Sequence, residues 1–318
     1  VSRQGGLNRR TDDFGGSFDN RLRIVRAVLE AVRTAAGSDV AVGMRTSIAH
    51  HMPGAHDDYD ASTSLQTVAA LEADGLLDYV SLMSGSYRAA THTIPTMAQP
   101  RTSLADPARA FVDTLDIPVI VANRIRTAEE AETMITGGAA HAVAMARTWI
   151  ADPDWARKYE AGDDARVRPC VSCSQACQGF LARGLRVSCI GNPVAGREVE
   201  FPAIDKSGAA KNIAVIGGGP AGMEVARLAA LRGHHVTLYE ASSALGGQLV
   251  WASAAPHREE MGLLVDWWAR ELETLGVAVA LNHNVDAQNL PIADQVIWAI
   301  GAVPSQSAVG KLRPALFD

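Results

Sequence analysis

The sequence predicts an α/β protein made of two unlike modules joined by a cysteine-rich segment, and three observations predict it. Short apolar runs alternate with amphipathic stretches through residues 1–160. The only four cysteines, Cys170, Cys173, Cys177 and Cys189, follow the spacing C-x2-C-x3-C-x11-C. A glycine loop, Gly217-Gly218-Gly219-Pro220-Ala221-Gly222, comes directly after the apolar run Ile213–Ile216.

Bulk properties narrow the class. A chain of 318 residues holds about two domains with their own cores. Apolar residues at 47% and charged residues at 20% are ordinary for a globular protein. The net charge of −6 comes with no basic run, so nucleic-acid binding has no electrostatic footprint. No apolar stretch approaches the ~20 residues a membrane helix needs. Clustered cysteines without a secretory signal read as metal or redox ligands, with the cytoplasm as the expected compartment. The chain opens at Val1 in a glycine- and arginine-rich stretch and stops at Asp318, soon after Gly301-Ala302-Val303-Pro304. Both ends read as the interior of a longer chain.

In residues 1–165 the expected strands are Val40–Arg45, Asp78–Met83, Pro118–Ala122 and His141–Ala146. The expected helices are Asp19–Thr34, Ser62–Ala73, Asp106–Leu115 and Ala128–Ile135, with Leu22, Val25, Val28, Leu29 and Val32 on one face of the first. Gly75 and Gly137 fall where helices should stop. Strand starts near 40, 78 and 118 recur at the length of a βα unit. Four such units make half of an eight-stranded barrel or most of an open doubly wound sheet. A short helix from Asp152-Pro153 to Lys158 leads to the cysteine segment, 166–205. The third region, 206–318, starts with Ile213–Ile216, runs through the glycine loop into a helix ending near Arg232, and continues as the strand Val236–Tyr239.

The glycine loop is placed as a dinucleotide site needs it, between a strand and an apolar helix. Gly217 allows a tight turn, Gly219 a close approach of backbone to a diphosphate, and Gly222 close helix–strand packing. The helix start offers free N–H groups to phosphates. Glu240, at the end of the next strand, is placed to accept from a ribose. A carboxylate there favours an unphosphorylated 2′-hydroxyl, hence FAD or NAD over NADP. A glycine turn without a ligand is the plain alternative.

Four thiolates suit an iron–sulfur cluster or structural zinc. Zinc ribbons usually use two separated C-x2-C knuckles, whereas three cysteines here crowd within eight residues, which matches iron–sulfur ligation better. Arg45, Arg124 and Arg147 stand at or after strand ends, where barrel enzymes build their sites. Arg124 and Arg147 are phosphate candidates and Arg45 faces a flavin or anionic substrate; each could instead be a surface arginine at a helix start. His50, His51 and His56, near Asp57, Asp58 and Asp60, are spaced irregularly and read as a solvated loop rather than a metal site. Tyr87 and His92 follow the second strand, where a proton donor can stand. Trp267 and Trp268 read as core.

These motifs, in this order, resemble the old yellow enzyme family of NADH:flavin oxidoreductases, in its long iron–sulfur flavoprotein form. That form includes 2,4-dienoyl-CoA reductases, 2-enoate reductases and trimethylamine and dimethylamine dehydrogenases. Asn8–Arg21 resembles the stretch before the fifth barrel strand, and Val42–Ser47 that strand, whose arginine contacts FMN. Ala122-Asn123-Arg124-Ile125 and Met145-Ala146-Arg147, with Ile150–Pro153, resemble the ends of strands seven and eight, where the FMN phosphate is held. Arg168–Pro193 resembles the cluster segment, and Gly217–Glu240 with Gly246-Gly247-Gln248 the FAD domain.

The resemblance implies the C-terminal half of a (β/α)8 TIM barrel (strands five to eight), a 4Fe–4S cluster loop and a truncated Rossmann-like FAD/NAD(P)-binding domain. It implies FMN at Arg45, Asn123, Arg124, Ala146 and Arg147, and FAD at Gly217, Gly219, Gly222, Glu240, Gly247, Gln248 and Gly301. It also implies a [4Fe–4S] cluster on the four cysteines, and NAD(P)H as reductant. Electrons would pass from FAD to the cluster to FMN and reduce an α,β-unsaturated, enoyl- or dienoyl-type substrate, with Tyr87 and His92 as the catalytic candidates. An amine dehydrogenase or demethylase is the alternative within the family; a non-enzymatic zinc- and nucleotide-binding redox module is the alternative outside it. Tyr87-Arg88 stands where the reductases keep a proton-relay histidine, and Ala146 stands where many members carry glycine. Half a barrel alone is expected to be inactive, and its open edges invite homo-oligomer formation. Apart from NAD(P)H and a small-molecule substrate, neither nucleic acid nor membrane is expected as a partner.

Overall fold

The computed structural model describes residues 8–51, 59–201, 204–206 and 208–302. The chain divides into two compact units, Val1–Arg197 and Glu198–Asp318, and the cysteine segment lies in the first.

The first unit begins with α1 (Phe18–Ala36). Ser17 caps it by accepting from the Asn20 N–H, and Gly37 at φ 76 ends it. Leu22 and Leu29 are buried, whereas Val28 and Val32, at the edge of that stripe, are exposed. Then come β1 (Gly43–Ser47), α2 (Ala61–Ala73), β2 (Tyr79–Met83), the short α3 (Ala90–Thr93), α4 (Ala105–Thr114), β3 (Val119–Ala122), α5 (Ala128–Thr136) and β4 (Ala142–Ala144). Three more short helices follow, α6 (Ala146–Ala151), α7 (Trp155–Glu160) and α8 (Gln178–Leu181). All four strands are parallel, in the order β1-β2-β3-β4. Sequential neighbours belong to a barrel wall, because a doubly wound sheet reverses its order partway.

The alternation of the strands sorts their side chains. Val80, Leu82, Val119 and Val121 pack with Val68, Leu71, Phe111 and Met134 from the covering helices, forming one core. Arg45 lies on the opposite face, exposed and in register with Ser81.

Two strands, β1 and β4, differ from expectation by more than one residue at an end. β1 starts at Gly43 rather than Val40, because Asp78 holds Val42: the Val42 N–H donates to the Asp78 carboxylate at 2.6 Å, and the Asp78 N–H donates to Val42 O at 2.8 Å. Arg33 pairs with the same carboxylate at 2.8 Å. Arg45 is therefore central in β1 rather than at its end. β4 stops at Ala144, and Ala146 and Arg147 open α6 instead of extending the strand.

The second unit contains β5 (Asn212–Ile216), α9 (Pro220–Leu231), β6 (His235–Tyr239), α10 (Gln248–Ala254), α11 (Gly262–Thr274), β7 (Ala278–Ala280) and β8 (Gln295–Trp298). Its parallel sheet runs β7-β6-β5-β8, so the unit's first two strands lie centrally and the order reverses beside β5. In such sheets ligands bind at that reversal, beyond the carboxyl ends of the strands. α9 and α11 pack through Trp267 and Trp268, both buried as expected. Between them the Trp268 Nε1–H donates to Glu224 at 2.7 Å, Arg227 pairs with Glu224 at 2.8 Å, and Glu271 lies 3.8 Å from Arg227.

Among the described residues, no helix is long and apolar enough to cross a membrane.

Candidate functional site

In the first unit a cavity of about 170 Å³ opens at the carboxyl ends of the strands. Arg45, Asn123, Arg124, Ala146 and Arg147, all singled out from sequence, line it together. Arg124 is buried and stands at φ 50, a left-handed conformation that is uncommon for a non-glycine residue. Arg147 donates from Nη1 to Pro95 O at 2.8 Å and lies 3.2 Å from Ser174 Oγ, which fixes its side chain at the rim. Several guanidinium groups gathered around one cavity fit a phosphate, which arginine recognises by its fork of donors.

Among the residues of this wall that sequence reasoning missed are Arg126 and Ser172, both buried. Arg124, at φ 50, follows the end of β3, and Arg124, Ile125 and Arg126 are all buried in the run Asn123-Arg124-Ile125-Arg126. That doubled arginine was the available signal. Nothing in the spacing of Ser172 marked it.

A second cavity, about 250 Å³, shares Pro95 and Asn123 with the first. His51, Ser84 and His92 line it. The His51 and His92 rings stack with centroids 4.1 Å apart, and His51 Nε2 lies 2.8 Å from Ser84 Oγ. His92 Nδ1 is buried with no hydrogen-bond partner among the described residues, while the Asn123 amide donates to His92 O at 3.3 Å. Tyr87 behaves differently: its exposure is 107%, and it lines neither cavity. In the neighbouring loop His50 stacks on Tyr59 at 4.2 Å, and Asp60 caps α2. His56, Asp57 and Asp58 lie outside the described residues.

The cysteine segment forms one wall of the first cavity through Cys170, Ser172 and Gln178. Arg126 donates to Cys170 O at 2.6 Å, the Met97 N–H to Ser172 O at 3.1 Å, and the Ser188 N–H to Ala176 O at 3.0 Å, which brings the arm bearing Cys189 back along the first three cysteines. Asp152 accepts the Arg168 N–H at 2.7 Å and Lys158 Nζ at 2.6 Å. Cys170, Cys173, Cys177 and Cys189 are all free and half-buried. Burial pushes the Cys173 thiol up to about 11, against an N–H donated by Gln175, with the other three thiols adding to the rise. Burial likewise raises Cys189, against N–H groups of Gly191 and Asn192. The four thiols thus lie within electrostatic reach of one another. Among the described residues, no group of three or more His, Cys, Asp or Glu side chains is set to hold a metal ion. Iron–sulfur clusters take cysteine thiolates as their protein ligands. Four free thiols, two of them receiving backbone N–H groups, fit that donor set.

In the second unit the glycine loop joins β5 to α9. A Cβ on Gly222 would collide with Gly217 O, and Gly217 itself needs φ 109. At Gly219 a Cβ would meet nothing within 4 Å, and α9 begins there with no side-chain cap. Open space beside uncapped N–H groups fits a diphosphate. Glu240 reaches into the same loop: one carboxylate oxygen accepts the Gly218 N–H at 2.6 Å, the other accepts the Ser242 N–H and Oγ–H, each at 2.7 Å. Burial pushes this carboxylate up, but those donors outweigh it and hold Glu240 below its ordinary value. Gly247 at φ 49 lies against Gly219, Gln248 donates to Ala302 O at 3.0 Å, and Gly301 at φ 68 follows β8. The seven residues expected at FAD therefore lie in the loops and first helical turns beyond the β5, β6 and β8 strand ends.

A parallel βα wall with a cationic cavity, followed by a dinucleotide loop, defines a flavin- and nicotinamide-type oxidoreductase architecture. The chain belongs to the NADH:flavin oxidoreductase / NADH oxidase family, whose model matches residues 3–165; the pyridine nucleotide-disulphide oxidoreductase model matches residues 196–315. It is 36% identical to an NADH oxidase of Thermoanaerobacter brockii, over 93% of this chain and 46% of the relative. It is 34% identical to an N,N-dimethylglycine/sarcosine dehydrogenase of Chromohalobacter salexigens, over 95% of this chain and 44% of the relative. The structure of 2-naphthoyl-CoA reductase in complex with 2-naphthoyl-CoA matches with a TM-score of 0.88 at 27% identity, over 95% of this chain and 46% of that one. The chain spans about half the length of the curated relatives it matches.

Proposed function

We propose that this chain is the FMN-, cluster- and FAD-holding part of an NAD(P)H-dependent oxidoreductase that reduces an α,β-unsaturated thioester, acid or ketone. When bound, the flavins and a [4Fe–4S] cluster supply hydride and single-electron chemistry, in the order FAD, cluster, FMN. Arg124, Arg126 and Arg147 hold the FMN phosphate, with Ala146 beside them, Asn123 supports the site and Arg45 faces the ring. Gly217, Gly219, Gly222, Gly247, Gln248 and Gly301 shape the FAD cradle, and Glu240 takes its ribose. Cys170, Cys173, Cys177 and Cys189 hold the cluster. His92, in the adjoining cavity, delivers the proton that alkene reduction requires; Tyr87, fully exposed, lines neither cavity.

One observation carries this reading: a single cavity gathers Arg45, Asn123, Arg124, Arg147 and Cys170, so that cations suited to a flavin phosphate stand beside the first thiol. The test is anaerobic reconstitution of the full-length protein, with iron, acid-labile sulfide and flavin quantified. Flavin bands over a broad ~400 nm shoulder support the reading; zinc without iron would return it to a nucleotide-binding module.

Similarity to the dimethylglycine/sarcosine dehydrogenase favours a second reading, oxidative demethylation of a methylated amine. Adding either NADH with an enoyl substrate, or a methylated amine with an electron acceptor, separates the two. The pair that changes the flavin spectrum identifies the direction.

A further inference from the structure

Ser172 lies between the first two thiols, in Cys170-Val171-Ser172-Cys173. Only 1% of it is exposed, and it lines the cationic cavity. Its Oγ has no hydrogen-bond partner among the described residues. Its backbone stands at φ 49, where a side chain brings strain and glycine brings none. The Met97 N–H on Ser172 O and Arg126 on Cys170 O hold the segment in that conformation. The backbone alone would therefore be better served by glycine. A buried hydroxyl without a partner is rare in folded proteins, because its lost hydration goes uncompensated. Both costs make sense if the hydroxyl serves whatever fills the cavity.

We propose that Ser172 is a flavin-contacting residue whose hydroxyl donates a hydrogen bond to an acceptor atom of FMN in this cavity. The inference rests on the FMN reading of the cavity and goes beyond it, since it assigns part of the flavin's binding to the cysteine segment itself. Binding energy is reciprocal, so a flavin held by Ser172 also steadies the turn that carries Cys170 and Cys173.

The experiment uses full-length, iron-loaded protein stripped of FMN and titrated with FMN, followed by quenching of flavin fluorescence. Ser172→Ala and Ser172→Gly should each bind FMN roughly three- to tenfold more weakly, as the loss of one hydrogen bond implies. Iron and sulfide per chain should match the parent. Ser172→Gly separates the hydroxyl from the backbone, because it relieves the left-handed strain without restoring a donor. Parental affinity in both variants, or in Ser172→Gly alone, overturns the inference while leaving the FMN reading intact. A parent protein that takes up no FMN overturns the FMN reading and this inference with it.

Discussion

Arg126 donates from Nη1 to the carbonyl oxygen of Cys170 at 2.6 Å, and both residues line the same cavity. The Arg126 N–H in turn donates to Glu130 at 2.8 Å, and Glu130 also takes Arg101 at 2.7 Å and completes a capping box with Thr127. The start of α5, the cavity and the thiol segment are thereby one connected network. A change at Arg126 should be read both at the flavin and at the metal.

Arg126→Ala removes a buried charge-assisted donor, worth about 1.5–3 kcal/mol. FMN affinity should fall at least tenfold, and iron retention should fall with it. Arg126→Lys keeps the charge but loses the planar fork, so FMN binding should recover in part while iron retention recovers less. Flavin titration and iron analysis on the same preparations check this. Loss of FMN with fully retained iron would show that the Cys170 contact is dispensable.

If His92 delivers the proton, His92→Ala should lower kcat for alkene reduction by about 10²–10⁴-fold. Flavin reduction by NADH, measured in a separate half-reaction, should be unchanged. Tyr87→Phe should alter neither rate, because that side chain stands wholly in solvent. Stopped-flow spectroscopy with NADH, and then with an enoyl substrate, resolves the two steps.

The fold was legible where local rules act. Apolar runs located every strand of the first unit, and the loop from Gly217 to Gly222 located β5 and α9. The start of β1 was not legible, because Val42 is held by Asp78 and Arg33, a contact between distant parts of the sequence. The site showed the same division. Arg124 and Arg147 stood out because they follow strands, Arg45 because its strand was expected to end there, and Asn123 through the family resemblance. Ser172 could not, since its place in the wall depends on how the thiol segment folds back against the barrel residues. The stacking of His51 on His92 depends likewise on two loops meeting.

The α9–α11 contact should be sensitive to a change in charge balance. Arg227 lies between Glu224 and Glu271, with all three side chains buried and Trp267 5.5 Å from its guanidinium. Arg227→Met leaves two buried carboxylates without their cation and should cost about 3–5 kcal/mol. Adding Glu224→Gln and Glu271→Gln should recover part of that loss. Denaturant unfolding of the three proteins measures it, and a destabilisation below about 1 kcal/mol would mean that water reaches the pair.

Glu240 makes the glycine loop acid-sensitive. Its carboxylate is held below its ordinary value of 4.5 in the folded protein. The unfolded chain therefore takes up this proton first as pH falls. The stabilising contribution is complete above about pH 4.5 and disappears as pH drops through the folded value. Glu240→Gln should melt below the parent at neutral pH, with the gap closing as acid is added. Melting curves across that range check it; a gap that stays constant would assign the loss to shape rather than charge.

Gly219 and Gly222 lie three residues apart in one loop but should fail in different ways. At Gly222 an added Cβ collides with Gly217 O, and neither backbone can move without separating α9 from β5. Gly222→Ala should therefore destabilise the second unit and abolish FAD binding together. At Gly219 the backbone is at φ −74 and an added Cβ meets nothing of the protein within 4 Å. Gly219→Ala should keep the parental melting temperature, because alanine loses less backbone freedom than glycine on folding. Its methyl group would nonetheless stand where a diphosphate must approach the uncapped start of α9. FAD affinity should fall by at least tenfold in a protein that is otherwise as stable as the parent. Calorimetric titration with FAD beside a thermal melt measures both effects. Undiminished FAD affinity in Gly219→Ala would remove the diphosphate from this loop.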